Sequence, residues 1–218
     1  MLRETFTHDL RKLQDEVLRT SSEVEQNLKS VVDAFMRRDH RKAEQLIKAD
    51  EWVNERRIEI GMKSLQLIAT QQPIAGDMRL LATTFEIIGE IERIHDYIKG
   101  IAKISLMIGD EDIPSHLLQY MPLMADETNL MLHKAIDAYS NSDAELAQSI
   151  PPHDDIVDQY YYQSYETIVS YLMENAEKME KVNWIEWATH NLERAADRVI
   201  NICEWVVYME TGVFEEMD

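Results

Sequence analysis

Apolar residues recur at helical spacing along almost the whole chain. Leu2, Phe6 and Leu10 begin a series of mostly three- and four-residue steps that continues to Phe35, and this spacing is typical of an amphipathic helix. Alternating apolar runs bounded by hairpin turns, which would indicate strands, do not occur in the sequence. Residues that end helices are scarce, with six Gly and five Pro among 218 residues. The sequence therefore predicts an all-α protein built from long helices.

Five stretches with turn or cap chemistry separate six predicted helices. They are Arg38–Asp39, Gln71–Gly76, Gly109–Ser115, Tyr139–Asp143 and Met173–Lys178. The third stretch lies near the middle of the chain and combines Gly, Pro and acidic residues. It divides the chain into residues 1–109 and 110–218, which we predict to be two three-helix bundles in one compact, duplicated unit.

The two predicted bundles share an internal repeat. The segment that starts at Asp33 aligns with the segment that starts at Asp137, at an offset of 104 residues. The pentapeptide "ERIHD" at 92–96 is matched by "ERAAD" at 193–197, at an offset of 101 residues. A unit of roughly 100 residues is too long for a solenoid repeat. We interpret the chain as a duplicated three-helix unit.

Each copy of the pentapeptide places two acids one helical turn apart. Glu92 and Asp96 share a helix face, as do Glu193 and Asp197, because residues at i and i+4 are neighbours on a helix surface. The number of such pairs does not exceed the chance expectation for a chain with 41 acids. Spacing alone is therefore also explained by a solvated helix face. The matching position in the repeat is what favours a functional site.

A second group of polar residues lies on the helix that precedes each pentapeptide. Residues 52 and 94 are each 21 positions from Pro73, so the two groups are level across an antiparallel helix pair. The second half repeats this arrangement about the turn near Ala176. Converging carboxylates and amides suit hard cations such as Mg²⁺ and Mn²⁺, and also iron. The predicted metal ligands are Asp50, Asn54, Glu92 and Asp96 in the first half and Asp154, Asp158, Glu193 and Asp197 in the second.

The formal net charge is −19. This charge argues against binding of nucleic acid or of an anionic membrane, since both require a basic surface. Residues 1–109 carry 17 Lys and Arg against 18 Asp and Glu, whereas residues 110–218 carry 5 against 23. The two halves therefore differ in surface charge although they share a repeat, and the acidic half suits cations and basic patches on partner proteins.

The remaining sequence features bear on location and activity. A single cysteine excludes a disulfide framework. The N-terminal residues contain no apolar signal-peptide core, and no apolar run approaches the roughly 20 residues that span a bilayer. We therefore expect a cytoplasmic protein. Nucleophile–base motifs, phosphate-binding Gly-rich loops and dinucleotide fingerprints are absent from the sequence, so we expect no catalytic residues and no enzyme activity.

In combination these motifs resemble the PhoU family of phosphate-transport accessory proteins, over essentially the whole chain. The matching stretches are "DEWVNE" (50–55), "QQPIAGDMRLL" (71–81), "EIERIHDYIKGIA" (90–102), "DDIVDQYYY" (154–162) and "NLERAADRVINICEWVVY" (191–208). The resemblance implies two three-helix bundles related by approximate twofold symmetry. It also implies metal binding at each acid motif, by iron, zinc, manganese or magnesium.

The same resemblance implies a role in phosphate signalling. A protein of this family is expected to be a negative regulator that links the phosphate ABC transporter to a sensor histidine kinase. Its expected partners are the ATPase subunit of the transporter, the kinase and a second copy of itself in a homodimer. Membrane association would then be at most indirect, through these partners.

Three departures from the family pattern affect the predicted sites. His95 stands where the family usually has Gly, and we expect a surface side chain, with an additional metal ligand as the alternative. Asn54 stands where the second half has Asp158, so the first site should bind metal more weakly. The pair Pro151-Pro152 should break or kink the fifth helix. Asp154 would then lie in the first turn of a new segment, where an acid is favoured by the helix dipole alone.

A di-iron or metal-storage helical bundle is the alternative function. Glu92 and His95 form a Glu-x-x-His motif, as in ferritin-like di-iron bundles, but that architecture needs the motif twice. The second copy has Ala196 in place of the histidine. The sequence therefore favours the regulatory protein.

Overall fold

The computed structural model describes residues 2–217, and the side chains of residues 4–217. Within these residues the chain forms seven α-helices and no β-strand. The helices are α1 (Leu2–Arg37), α2 (His40–Gln71), α3 (Ala75–Ile108), α4 (Met121–Asn141), α5 (Ala144–Gln148), α6 (Pro151–Glu174) and α7 (Met179–Thr211). Short 3₁₀ turns at Ser115–Leu117 and Ala176–Lys178 precede α4 and α7. The prediction of an all-α fold is confirmed.

The helices end and begin where local chemistry requires it. Asp39 caps α2, because its carboxylate accepts a hydrogen bond of 2.9 Å from the Lys42 amide. In the second half Asp143 caps α5 in the same way, with a bond of 2.9 Å from the Leu146 amide. Gly109 ends α3 with a φ of +66°, a backbone conformation that glycine adopts without steric cost. These caps lie within the predicted breaks.

The fifth predicted helix is divided in two, as its two prolines predict. Helix α5 ends at Gln148 and α6 begins at Pro151. Proline is tolerated at the first position of a helix, where its missing N–H would have no partner in any case. Asp154 consequently lies in the first turn of α6.

Two three-helix bundles pack side by side. Helices α1, α2 and α3 contact one another in the first bundle, and α4, α6 and α7 do so in the second, with α5 against α4 and α7. Between the bundles, α3 packs along α7 in the most extensive helix contact of the described chain, and α1 packs on α4. Because α1 corresponds to α4 and α3 to α7 in the repeat, this pairing is the one that an approximate twofold axis produces.

Individual residues at the contact between α3 and α7 show the same symmetry. Asn201 donates a hydrogen bond of 3.2 Å to Glu90. The repeat offset of 101 residues converts this pair into Asn191 and Gly100, which also face each other: a Cβ added to Gly100 would lie 2.9 Å from Nδ2 of Asn191. The approximate twofold axis therefore relates the pair of Glu90 and Asn201 to the pair of Asn191 and Gly100.

One continuous apolar core runs through both bundles. Its members include Ile91 and Ile98 of α3 and Val199 and Val206 of α7, all fully buried. Packing against the partner bundle therefore supplies part of the core of each half. None of the helices in residues 2–217 combines the length and the apolar character needed to cross a membrane.

The last described residues fold back on α7. Gly212 adopts a φ of +77° and reverses the chain. The Phe214 ring then packs against Trp205, with a centroid distance of 5.0 Å. The amide of Met217 donates a hydrogen bond of 2.9 Å to Glu204. This C-terminal segment, residues 212–217, thus lies along the final turns of α7.

Candidate metal centre

The second half brings its four predicted ligands into one electrostatic cluster. Asp154 and Asp158 come from the start of α6, and Glu193 and Asp197 come from the facing side of α7. Burial, with repulsion from Asp158 and Asp197, raises the pKa of Asp154 to about 7. Burial, with repulsion from Asp197, also raises the pKa of Glu193 to about 7. The pKa values of Asp158 and Asp197 are raised as well, mainly by burial.

Two oxygens of this cluster lack donors. Asp154 Oδ1 and Glu193 Oε2 are buried and accept no hydrogen bond within the described part of the chain. His190 Nδ1 lies 3.3 Å from Glu193 Oε2, which is an ion pair only when the imidazole is protonated. Asp197 differs, since Arg194 contacts it at 2.6 Å. A buried acceptor without a donor costs about 1–3 kcal/mol, a cost that a bound cation would offset.

The cluster opens on a cleft of about 510 Å³. The lining includes Asp154, Asp155, Asp197, Arg198 and Met217. Asp154 and Asp197 are the two predicted ligands that line the cleft, and Arg194 lies beside them. The unpaired oxygen of Asp154 is the kind of ligand that a hard cation prefers. Among the described residues, however, no three His, Cys, Asp or Glu side chains are grouped closely enough to hold an ion. The metal-ligand assignments therefore stay predictions.

The first half surrounds its aspartate with donors. Asp50 on α2 is only 5% exposed. One of its oxygens lies 3.3 Å from Nδ1 of His95. The other accepts a hydrogen bond of 3.2 Å from Asn54 and a short contact from the Lys99 ammonium. Lys99 also lies 3.8 Å from Asp96. The negative charge of this cluster is thus compensated by a positive side chain of the same bundle.

The expectation that His95 is a surface side chain is wrong. His95 is 0% exposed, because it lies on the face of α3 that packs against α1 and α2. Its Nε2 lies 3.4 Å from Asn27 Nδ2, while its Nδ1 faces Asp50. Burial lowers the pKa of His95 although the hydrogen bond with Asp50 opposes the shift. A neutral ring that donates from Nδ1 and accepts at Nε2 satisfies both neighbours.

Glu92 lies outside this hydrogen-bonded group but interacts electrostatically with its members. Burial, with repulsion from Asp96, raises the pKa of Glu92, and Asp50 adds to the shift while Arg57 opposes it. Arg93 lies 3.8 Å from Asp96. The four predicted ligands of the first half are therefore neighbours, as the level helices predict, but they share their surroundings with basic groups.

Sequence reasoning missed Lys99. His95 precedes Lys99 by four residues and Asp96 precedes it by three, so all three lie on the same face of α3. The helical period therefore places Lys99 beside the acids. A search restricted to acids and amides passes over it. The repeat offset aligns Lys99 with Ile200 in the second half. The two clusters therefore differ in charge at this position as well as at Asn54, which aligns with Asp158.

The fold and the two clusters define a class of protein: a duplicated pair of three-helix bundles with acids on facing helices of each bundle. A family model described as the PhoU domain matches residues 17–105 and 121–206. The chain belongs to the PhoU family.

Curated relatives match this chain over nearly its whole length. It is 31% identical to the phosphate-specific transport system accessory protein PhoU homolog of Clostridium acetobutylicum, over 97% of both chains. It is 30% identical to the phosphate-specific transport system accessory protein PhoU of Escherichia coli K12, over 95% of this chain and 86% of that one.

Solved structures agree with this assignment. The phosphate transport system regulatory protein PhoU from Streptococcus pneumoniae superimposes with a TM-score of 0.88 at 28% identity, over 97% of this chain and 100% of that chain. PhoU from Pseudomonas aeruginosa superimposes with a TM-score of 0.90 at 27% identity, over 95% and 100% of the two chains. The prediction of the family is confirmed.

Proposed function

We propose that the protein is a non-enzymatic, cytoplasmic accessory protein of phosphate uptake. It acts as a negative regulator of phosphate-responsive genes by linking the ATPase subunit of the phosphate ABC transporter to a sensor histidine kinase. The observation that carries this proposal is likeness over the whole length, since relatives named as phosphate-specific transport system accessory proteins match both halves of the chain. A docking role agrees with the absence of a catalytic constellation from the sequence.

Binding of a metal by the second cluster is the second element of the proposal. Asp154, Asp158, Glu193 and Asp197 would hold a divalent or trivalent cation, either iron, zinc, manganese or magnesium. Two of these acids have a pKa of about 7, so a cation competes with protons for them near neutral pH. The bound ion would neutralise the mutual repulsion of four acids and join α6 to α7.

The position of His95 argues against the di-iron alternative. His95 is enclosed between Asn27 and Asp50, so both of its ring nitrogens are already used. An iron-dependent oxygenase activity would show as oxygen consumption when Fe²⁺ is added to the metal-free protein. We expect none above the rate of Fe²⁺ alone.

The docking proposal is tested with the protein as bait in extracts of phosphate-replete cells. We expect the transporter ATPase and the sensor kinase to be retained, and deletion of the gene to derepress phosphate-starvation genes at high phosphate. A deletion strain with an unchanged transcriptional response would contradict the regulatory role. Sedimentation analysis tests the proposed homodimer separately.

Metal binding is tested by the melting temperature of the metal-free protein with and without Mn²⁺. A ligand that binds the folded state alone raises the melting temperature by mass action. We expect a rise for the wild type, most of which is lost in Glu193→Gln/Asp197→Asn. The control is Glu55→Gln/Glu59→Gln, an exposed acid pair on α2 with the same spacing, which should keep the full rise. Equal rises in all three proteins would show the cluster to be a solvated face.

A further inference from the structure

The donors around Asp50 form a complete set. Asn54 and Lys99 both contact one oxygen of the carboxylate, and His95 faces the other. Each comes from a different helical position of α2 or α3, and together they leave neither oxygen without a neighbouring donor. Lys99 supplies the positive charge of the set.

Every one of these donors is lost at the equivalent aspartate of the second half. At the repeat offsets of 104 and 101 residues, Asn54 corresponds to Asp158, His95 to Ala196 and Lys99 to Ile200. An acid, a methyl group and an aliphatic side chain thus replace an amide, an imidazole and an ammonium. Correspondingly, Asp154 Oδ1 is buried without a hydrogen bond.

We propose that Lys99 is the resident cation of the first cluster, and that metal binds only at the second. A metal ion at Asp50 would have to displace an ammonium that already contacts both Asp50 and Asp96. Asp50, Asn54, Glu92 and Asp96 are then structural residues rather than ligands, which goes further than the weaker first site expected from Asn54 alone. The proposal rests on the metal binding proposed for the second cluster.

Calorimetric titration of the metal-free protein with Mn²⁺, and with Fe²⁺ under anaerobic conditions, separates the two clusters. We expect Glu193→Gln/Asp197→Asn to abolish uptake. Glu92→Gln/Asp96→Asn should retain the wild-type stoichiometry, with an affinity within about twofold of the wild type. A lower stoichiometry in Glu92→Gln/Asp96→Asn would overturn the proposal. A wild type that takes up neither metal would overturn the proposed metal function. The role of Lys99 as the cation that pairs with Asp50 is tested by a separate comparison.

That comparison uses Lys99→Met and its matched control Lys103→Met, one turn further along α3 and exposed. Without metal, Lys99→Met should melt at a lower temperature than Lys103→Met, because Asp50 loses its cation. In the Glu193→Gln/Asp197→Asn background, Lys99→Met should gain Mn²⁺ uptake that its parent lacks, a gain that a purely structural lysine would not give. If Lys99→Met matched Lys103→Met in both melting temperature and Mn²⁺ uptake, Lys99 would not be the resident cation.

Discussion

At the scale of residues, the acids of the second cluster link stability to pH. Burial and the repulsion from Asp158 raise the pKa of Asp154 from 3.8, the usual value for an aspartate, to about 7. Between about pH 4 and 7 the folded state therefore holds more protons than the unfolded state, and stability falls as the pH rises through this window. Above pH 7 the loss is complete, and below pH 4 it is absent.

We predict that Asp154→Asn stabilises the metal-free protein at pH 8 and that this advantage disappears towards pH 4. Urea denaturation in the presence of a chelator at several pH values measures the difference from wild type. The control is Asp155→Asn, since the exposed neighbour removes the same charge from the same helix turn. A difference between Asp154→Asn and wild type that stays constant from pH 5 to 8 would contradict the raised pKa.

The candidate site could be predicted in part at this scale. The positions of the acids follow from the helical period and from counting residues away from a turn, both of which are local rules. The burial of His95 and the ion pair between Lys99 and Asp50 depend on which neighbouring helix faces α3, and periodicity alone does not contain that information. The contrast between Asp50, which is surrounded by donors, and Asp154, which has an oxygen without a donor, therefore required the packed structure.

At the scale of helices, the contact between α3 and α7 includes a small residue beside a polar side chain. Gly100 faces Asn191, and a Cβ at that position would approach its amide nitrogen to 2.9 Å. Gly89 lies on the same helix with no heavy atom within 4 Å of an added Cβ. Substitution by alanine at these two positions therefore compares a Cβ that contacts another side chain with a Cβ that contacts none.

We predict that Gly89→Ala stabilises the protein by about 0.5–1 kcal/mol, since alanine lowers the entropic cost of the helix. Gly100→Ala should be about 0.5–1.5 kcal/mol less stable than Gly89→Ala, because the Asn191 side chain must leave its present rotamer. Chemical denaturation of both variants measures the difference. Equal stabilities would show that the Asn191 side chain moves aside at no cost.

The helices themselves were predicted accurately because their limits are set by short-range chemistry. Asp39, Asp143 and Gly109 act within a few residues of their own positions, so the sequence around each is sufficient to locate a helix end. The division of the fifth helix at Pro151 follows equally from the geometry of proline. The 3₁₀ turns before α4 and α7 and the end of α7 at Thr211 are absent from the sequence prediction.

At the scale of the whole molecule, the repeat predicts two bundles but not how they share a core. The boundary between residues 109 and 110 stays a prediction about sequence organisation. The buried isoleucines of α3 pack in the same core as the valines of α7. Separating the bundles would therefore expose apolar surface on both, at about 25 cal/mol for each Å².

We predict that cutting the connection between the bundles leaves them associated. A protease site inserted at Glu111 would produce two fragments that elute together under native conditions and separate only in denaturant. Intact and cut protein should show the same helical circular dichroism. Fragments that part during gel filtration would show that each bundle has a self-sufficient core.

The C-terminal segment has a practical consequence for work with metals. Met217 lies at the edge of the acidic cleft, held there through its backbone by Glu204. A polyhistidine tag joined to this segment would bring its own imidazole ligands close to the same ion. Apparent affinity, stoichiometry and metal preference would then describe the tag and the cleft together. A removable tag at the opposite terminus keeps the purification handle apart from the chemistry being measured.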